Sequence, residues 1–226
     1  MLLHINQQFY KFHSLKIIYI IIYMDFKYHT LCQTRSDINE HLPTLYSYAK
    51  ECESILELGV RGVISSWALV KGLLDNDKDV KRILLNDIEE CDITELMEVT
   101  KDMDVNISHE WKNDLDLDIK ENIDLTFIDT WHVYAQLKRE LEKFSKVTNK
   151  YIIMHDTTVD EWYGETIRCF DGFPTAIQQS KVSGFPVDEI MKGLWPAIEE
   201  FLNTNKEWKL KERFTNNNGL TILERI

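Results

Sequence analysis

The stretch Ser54-Ile-Leu-Glu-Leu-Gly-Val-Arg-Gly-Val-Ile-Ser-Ser66 decides how the rest of the chain is read. Its first five residues form a short apolar run, Gly59 breaks it, and residues 63–74 continue at helical spacing. A strand that ends in glycine and passes at once into a helix is the first unit of a βα repeat, and glycine there lets a ligand approach the turn closely. The alternation continues downstream. Residues 82–86 read as a second strand ending at Asp87, followed by a helix over 93–101 and a weaker strand over 105–108. Residues 123–128 read as a buried strand ending at Asp129, with a helix over 133–145, and residues 150–154 as a fifth strand ending in His155 and Asp156. Upstream, residues 36–52 have helical spacing, with Ser36 or Asp37 as cap and Pro43 in the first turn. Strands separated by helices of this length imply a parallel sheet covered on both faces.

The C-terminus breaks the pattern. After a helix over 194–202, two strands (208–214 and 220–225) are separated by Asn216-Asn-Asn-Gly219, residues that tolerate positive φ and therefore mark a hairpin. The expected fold is α/β: a Rossmann-like three-layer sandwich with a mostly parallel seven-stranded sheet and an antiparallel C-terminal strand. At 226 residues the chain fits one well-buried domain, and residues 35–226 are expected to form it. Residues 157–192 lack clear periodicity, carry Trp162, Tyr163 and two Gly-Phe-Pro tripeptides, and are too long for an ordinary connection. They read as a substrate-facing insertion, acting as a lid or as a subunit interface in a homo-oligomer.

Residues 1–34 read as a peripheral extension, with Met24 as the start of the chain proper. Their apolar run, residues 15–24, is shorter than the about 20 residues a membrane span needs, and no small-residue cleavage pattern follows it. No stable membrane insertion is expected; a membrane-surface anchor is the alternative. The net charge of −12 leaves no obvious basic face for nucleic acid, and points to a cytoplasmic protein acting on something small. The four cysteines form no Cys-x-x-Cys pair, which excludes the usual zinc-finger spacings and gives no disulfide framework; reduced, mostly buried thiols are expected. Asp114-Leu-Asp-Leu-Asp118 imitates a calcium loop, but Ile119 and Leu125 stand where that loop needs glycine and glutamate.

In an open parallel sheet, ligands bind outside the carboxyl ends of the strands. The polar residues collected there are Glu57, Gly59 and Gly62, then Asp87, then Asp129 and His132, then His155 and Asp156. Asp87 is placed to accept both hydroxyls of a ribose. Of the six tryptophans, Trp67 and Trp195 fall in helical patterns and read as core, whereas Trp131 and Trp162 lie beside the collected site.

Residues 55–66 resemble the first motif of class I S-adenosylmethionine-dependent methyltransferases, and Asp124-Leu-Thr-Phe-Ile-Asp129 with Trp-His-Val-Tyr134 is similar to the fourth-strand motif of their small-molecule O-methyltransferase branches. The terminal hairpin falls where that fold has its sixth and seventh strands. The similarity runs from Arg35 to the end. It implies S-adenosyl-L-methionine as cofactor, bordered by Glu57, Gly59, Arg61, Gly62 and Ser65, with Asp87 on the ribose and Asn113 or Asp114 near the adenine. The later glycine of the family often falls where this chain has Val63. The implied reaction is methyl transfer to a hydroxyl of a small-molecule acceptor, with Asp129, His132 and His155 as catalytic residues. Metal-dependent catechol-type members carry acidic groups at the ends of the same two strands, so Asp129 and Asp156 could hold Mg2+ or another divalent cation. Three alternatives stay open at this point. His132 or His155 serves as general base; the two aspartates only cap the following helices; or the chain is a nicotinamide-dependent oxidoreductase or a non-catalytic binding module. Gly-x-x-Gly here does not match the Gly-x-Gly-x-x-Gly turn of nicotinamide enzymes.

Overall fold

The computed structural model describes the backbone of residues 2–226 and the side chains from residue 18 onward. The chain opens with α1 (Leu2–Gln33) and, after a 3-10 turn (Asn39–His41), α2 (Leu42–Ala49). Then alternate β1 (Ser54–Leu58), α3 (Ile64–Leu74), β2 (Arg82–Asp87), α4 (Thr94–Thr100) and β3 (Asn106–Trp111). A 3-10 turn (Asp114–Asp116) leads to β4 (Ile123–Ile128), α5 (Tyr134–Phe144) and β5 (Thr148–His155). Three short helices follow, α6 (Glu165–Cys169), α7 (Phe173–Ser183) and α8 (Val187–Met191), and then α9 (Trp195–Thr204), β6 (Trp208–Phe214) and β7 (Leu220–Arg225).

One sheet holds all seven strands in the order β3-β2-β1-β4-β5-β7-β6. The first five are parallel, and β7 runs antiparallel to both β5 and β6. This is the Rossmann-like mixed sheet expected from the sequence. β1 and β4 are buried along their whole length because they lie centrally with helices on both faces, whereas β3 and β6 are edges with mostly exposed residues. On one face, Leu45, Trp67, Leu69, Leu73 and Leu96 pack on Ile55, Ile83 and Leu125. On the other, Leu137, Leu141 and Phe144 of α5 and Ile198 and Phe201 of α9 pack on Leu56, Ile152 and Leu223. The spacing of Leu137, Leu141 and Phe144 is the 3.6-residue stripe that makes α5 a covering helix.

Several sequence expectations need correction. The helix expected over 36–52 is shorter: Asn39–His41 is a 3-10 turn, and α2 begins beyond it with Pro43 in its first turn, where the missing N–H costs nothing. The stretch 157–192 is not irregular but largely helical. Its three helices carry almost no apolar stripe, and in α7 only Ala176 is buried, so periodicity could not reveal them. The N-terminal extension is not wholly peripheral. Met24 and Tyr28 of α1 belong to the main core, and Ile20 is buried with them. Lys27 reaches Glu95 of α4 at 2.7 Å. Among the described residues, no helix is long and apolar enough to cross a membrane. All four cysteines are free thiols, but only Cys52 is buried and Cys169 is exposed. Trp67 is core as expected, while Trp195 is half-buried beneath the Arg213 guanidinium, 3.6 Å from its ring.

Candidate active site

The strand order reverses between β1 and β4, and the carboxyl ends of these two strands touch. The Asp129 amide donates to the Leu58 carbonyl at 2.8 Å, and the Gly59 amide donates to the Asn86 carbonyl at 2.9 Å. Gly59 has φ +88°, and a Cβ there would lie 2.0 Å from the Asp129 carbonyl oxygen. Only glycine fits, because the β1 turn and the β4 end share one small volume. Gly62 has no such constraint: its added Cβ would meet only Ile64, at 3.9 Å. The left-handed conformation falls instead on its neighbours, Arg61 (φ 41°) and Val63 (φ 62°). For a β-branched residue this is a strained state, worth roughly 1–2 kcal/mol, and Val63 holds it where the resembling family often has glycine.

The turn is closed by Asp87. One oxygen of its carboxylate accepts from the Val60 and Arg61 amides, both at 2.9 Å, and the other accepts from the Glu89 amide at 3.1 Å. The residue expected to receive a ribose therefore also organises the turn that would face it. Glu57 is fully buried; Ser65 donates to it at 2.5 Å, and its second oxygen has no hydrogen-bond partner. Burial pushes the Glu57 carboxyl up to about 7. Arg61 points outward to Asp37 at 2.5 Å. Asp114 turns inward, where Gln136 donates to both of its oxygens, at 2.9 and 3.2 Å, and to Glu140 at 3.0 Å. Asn113 caps the 3-10 turn by accepting from the Leu115 amide.

The second group lies on the β4 and β5 rims. Asp129 Oδ1 is within hydrogen-bond distance of two imidazoles, His132 Nε2 at 3.1 Å and His155 Nδ1 at 3.3 Å. The remaining nitrogen of His132, Nδ1, faces three carboxylates: Asp156 at 3.0 Å, Glu165 at 3.2 Å and Asp160 at 3.5 Å. The remaining nitrogen of His155, Nε2, faces the Asn217 carbonyl at 3.3 Å. Each ring thus has oxygens near both nitrogens, an environment that favours the imidazolium, although His132 Nδ1 forms no hydrogen bond of its own. Burial opposes the charge on His132, but Asp129, Asp160 and Glu165 outweigh it and hold its pKa well above the ordinary value. His155 is raised by Asp129 in the same way, against its own burial. For Asp129, burial is outweighed by the two histidines, which hold the carboxyl well below the usual range. Asp156 moves the other way, raised by burial. Its Oδ1 has no hydrogen-bond partner, and it sits at φ 57°. Helix capping does not account for these aspartates, since neither α5 nor α6 is capped by a side chain.

Several participants carry no sequence signal. Asp160 and Glu165 come from the 157–192 stretch, and Arg168 grips Asp160 with two bonds of 2.7 Å. Asn217 meets His155 through its backbone carbonyl. The Asn216–Gly219 turn, legible as a hairpin, proves to be part of the rim. It meets His41 through the Asn216 carbonyl at 3.0 Å and receives the Glu40 amide on the Asn217 side chain at 3.0 Å. Its Asn218 carbonyl accepts from the Thr158 and Val159 amides. Trp131 is half-buried and stacked on Phe185, 6.1 Å between centroids, while Trp162 is exposed.

No protein-family model matches the sequence, and no curated protein matches it. Solved structures do share its architecture. An O-methyltransferase from Bacillus cereus, in complex with SAH, has a TM-score of 0.57 at 14% identity, covering 93% of this chain and 90% of that one. The N-methyltransferase NodS from Bradyrhizobium japonicum has a TM-score of 0.53 at 14% identity, covering 84% and 96%. The O-methyltransferase TomG from Streptomyces achromogenes, involved in tomaymycin synthesis and solved with SAM, has a TM-score of 0.53 at 11% identity, covering 85% and 81%. The chain therefore has the Rossmann-like fold of these methyltransferases, over nearly its whole length.

Proposed function

We propose that this protein is an enzyme that transfers a methyl group from S-adenosyl-L-methionine to a hydroxyl of a small-molecule acceptor. One observation carries the reading. At the switch point of a methyltransferase-type sheet, the glycine turn that would border the cofactor abuts, backbone to backbone, the aspartate that organises two histidines. The fit to the cofactor rests on Gly62, where an added Cβ would meet only Ile64 at 3.9 Å and the turn is open to close approach, and on Asp87, whose carboxylate holds the turn in shape.

In the transfer, the acceptor oxygen forms a bond to the methyl carbon as the carbon–sulfur bond breaks, and the sulfonium leaves as a thioether. The protein's contribution is orientation and charge. The positive charge of His132 and His155, held by Asp129, would stabilise through space the negative charge that develops on the acceptor oxygen. The hydroxyl proton passes to a carboxylate of the cluster, and Asp156, raised by burial and with an oxygen lacking a hydrogen bond, is suited to receive it. As arranged, neither imidazole is a ready base, because both nitrogens of each ring already face acceptors.

The donor set Asp129, His132 and Asp156 also fits a divalent cation. With an imidazole among the oxygens, it suits a first-row transition ion better than Mg2+. Asp129, Asp156 and a deprotonated His132 would hold such a cation, which would supply Lewis acidity that lowers the pKa of the acceptor hydroxyl. A binding module without catalysis is the second reading, favoured by the strained Val63 in the cofactor turn.

Isothermal titration with S-adenosylhomocysteine is the first test, with saturable binding expected. No heat at millimolar ligand would remove both cofactor and reaction. With binding in hand, methyl transfer to a panel of hydroxyl acceptors, before and after exhaustive chelation, separates enzyme from module and metal-dependent from metal-free chemistry.

A further inference from the structure

The segment between α1 and α2 brings a third histidine to the β4–β5 rim, one to which the proposed chemistry gives no task. His41 ends the 3-10 turn Asn39–His41 and is 1% exposed. Its side chain caps no helix, although it stands at the N-cap of α2. Instead its Nε2 lies 3.0 Å from the Asn216 carbonyl. Burial lowers the pKa of the ring, so it is neutral and has one N–H to give. A carbonyl only accepts, which places that hydrogen on Nε2. The ring also meets the His155 ring, with centroids 5.8 Å apart and planes at 72°, and packs against Phe214 at 5.9 Å.

Two histidines therefore stand side by side on successive carbonyls of one turn, His41 on Asn216 and His155 on Asn217 at 3.3 Å. The turn needs outside support. Asn217 and Asn218 hold φ 44° and 68°, a conformation unfavourable for residues with side chains. The support comes from the His41 segment. The Glu40 amide donates to Asn217 Oδ1 at 3.0 Å, Asn216 Nδ2 donates to Glu40 Oε2 at 2.6 Å, and Asn217 Nδ2 donates to the Ser36 carbonyl at 2.9 Å. Glu40 and Asn216 are exposed, so water competes for their bond, whereas the His41 ring is buried.

We propose that His41 is a positioning residue: by donating to Asn216 and backing the His155 ring, it keeps His155 Nδ1 directed at Asp129, 3.3 Å away. Its value to methyl transfer rests on the function proposed above; its hold on His155 does not. A histidine that only fills space could be replaced by another ring, but a positioning histidine needs its N–H.

Imidazole proton–nitrogen NMR of the native chain should show His41 as the neutral Nε2–H tautomer and a His155 side-chain N–H that exchanges slowly with water. His41→Phe keeps a ring and removes the donor; the His155 N–H should then exchange at least about 10-fold faster. His41→Gln keeps a donor and should bring exchange back to within about 3-fold of native. Methyl transfer should follow, with kcat down on the order of 10-fold in His41→Phe, partly recovered in His41→Gln, and KM for S-adenosylmethionine unchanged. Phe214→Leu, which alters packing on the same ring and leaves the donor, should leave the exchange near native. The proposal is overturned by a charged or Nδ1–H His41 in the native chain, by slow exchange that survives His41→Phe, or by Gln failing to restore it. Should His41→Phe not fold, the native tautomer and the Gln variant decide. A native chain without any methyl transfer would remove the proposed function and leave the NMR measurements to judge His41.

Discussion

The two halves of the candidate site are held by different means. The turn after β1 is fixed by main chain: the Gly59 amide is bonded to β2, Asp87 collects the Val60 and Arg61 amides, and Gly59 leaves no space unaccounted for. The β4–β5 rim is fixed by side chains: one oxygen of Asp129 gathers two imidazoles, and four carboxylates surround His132. A main-chain site is rigid and indifferent to most side chains. A side-chain site depends on every member, and here it retains a buried oxygen without a hydrogen bond, Asp156 Oδ1. Under the proposed function, the first half would recognise the constant cofactor and the second would supply the chemistry.

Substitution at each half should break the two in different ways. The largest effect is expected from Asp129→Asn, which removes the charge that both histidines share. Methyl transfer should fall on the order of 10³-fold while affinity for S-adenosylhomocysteine, read by titration, holds. An equal loss in both would show that the halves are one unit. Next comes Gly59→Ala, whose Cβ would lie 2.0 Å from backbone in a left-handed conformation. Urea denaturation should show a loss of about 3 kcal/mol or more, against about 0.5 kcal/mol or less for Gly62→Ala, which has room. A comparable cost for the two glycines would refute the close-packed reading of the turn.

The smallest effect is a pH dependence in the first half. The Glu57 carboxyl rises from 4.5 to about 7 on folding, so the folded state holds a proton that the unfolded chain has released between those values. The stability this gives is fully present below the ordinary pKa and is lost as pH rises through 7. Glu57→Gln should therefore gain on the native chain by about 1–3 kcal/mol between pH 4.5 and 7.5. Urea midpoints that stay parallel across that range would contradict it.

The same contrast explains what the sequence made legible. Central strands announce themselves because burial on both faces demands mostly apolar runs, as in residues 55–58 and 125–128, each with a single polar member, Glu57 and Thr126. Gly59 announces itself because only glycine suits its conformation. Asp129, His132, His155 and Asp156 could be collected because strand ends share one rim. Asp160 and Glu165 could not, since they lie in short helices with little apolar pattern and reach the site only through tertiary folding. Asn217 acts through a carbonyl that every residue has. The roles of Asp87 in closing the turn and of Asp114 in an internal network depend on which way a carboxylate rotates, which spacing does not encode. In α1 the apolar run does not reveal which face is buried, so the burial of Ile20, Met24 and Tyr28 has no signal in the sequence.

The turn at Asn216–Gly219 sets the timing of assembly. It bonds to residues 36–41 on one side and to residues 157–159 on the other, joining segments up to 181 positions apart. Such long loops close late in folding, because their entropy must be spent before the contacts form. A growing chain can pair its parallel strands as they emerge, but His155 lacks its carbonyl partner until this turn has been made. The cluster around His155 is therefore expected to be completed last. A chain stopped short of the turn would hold the five parallel strands but lack the carbonyl that His155 faces.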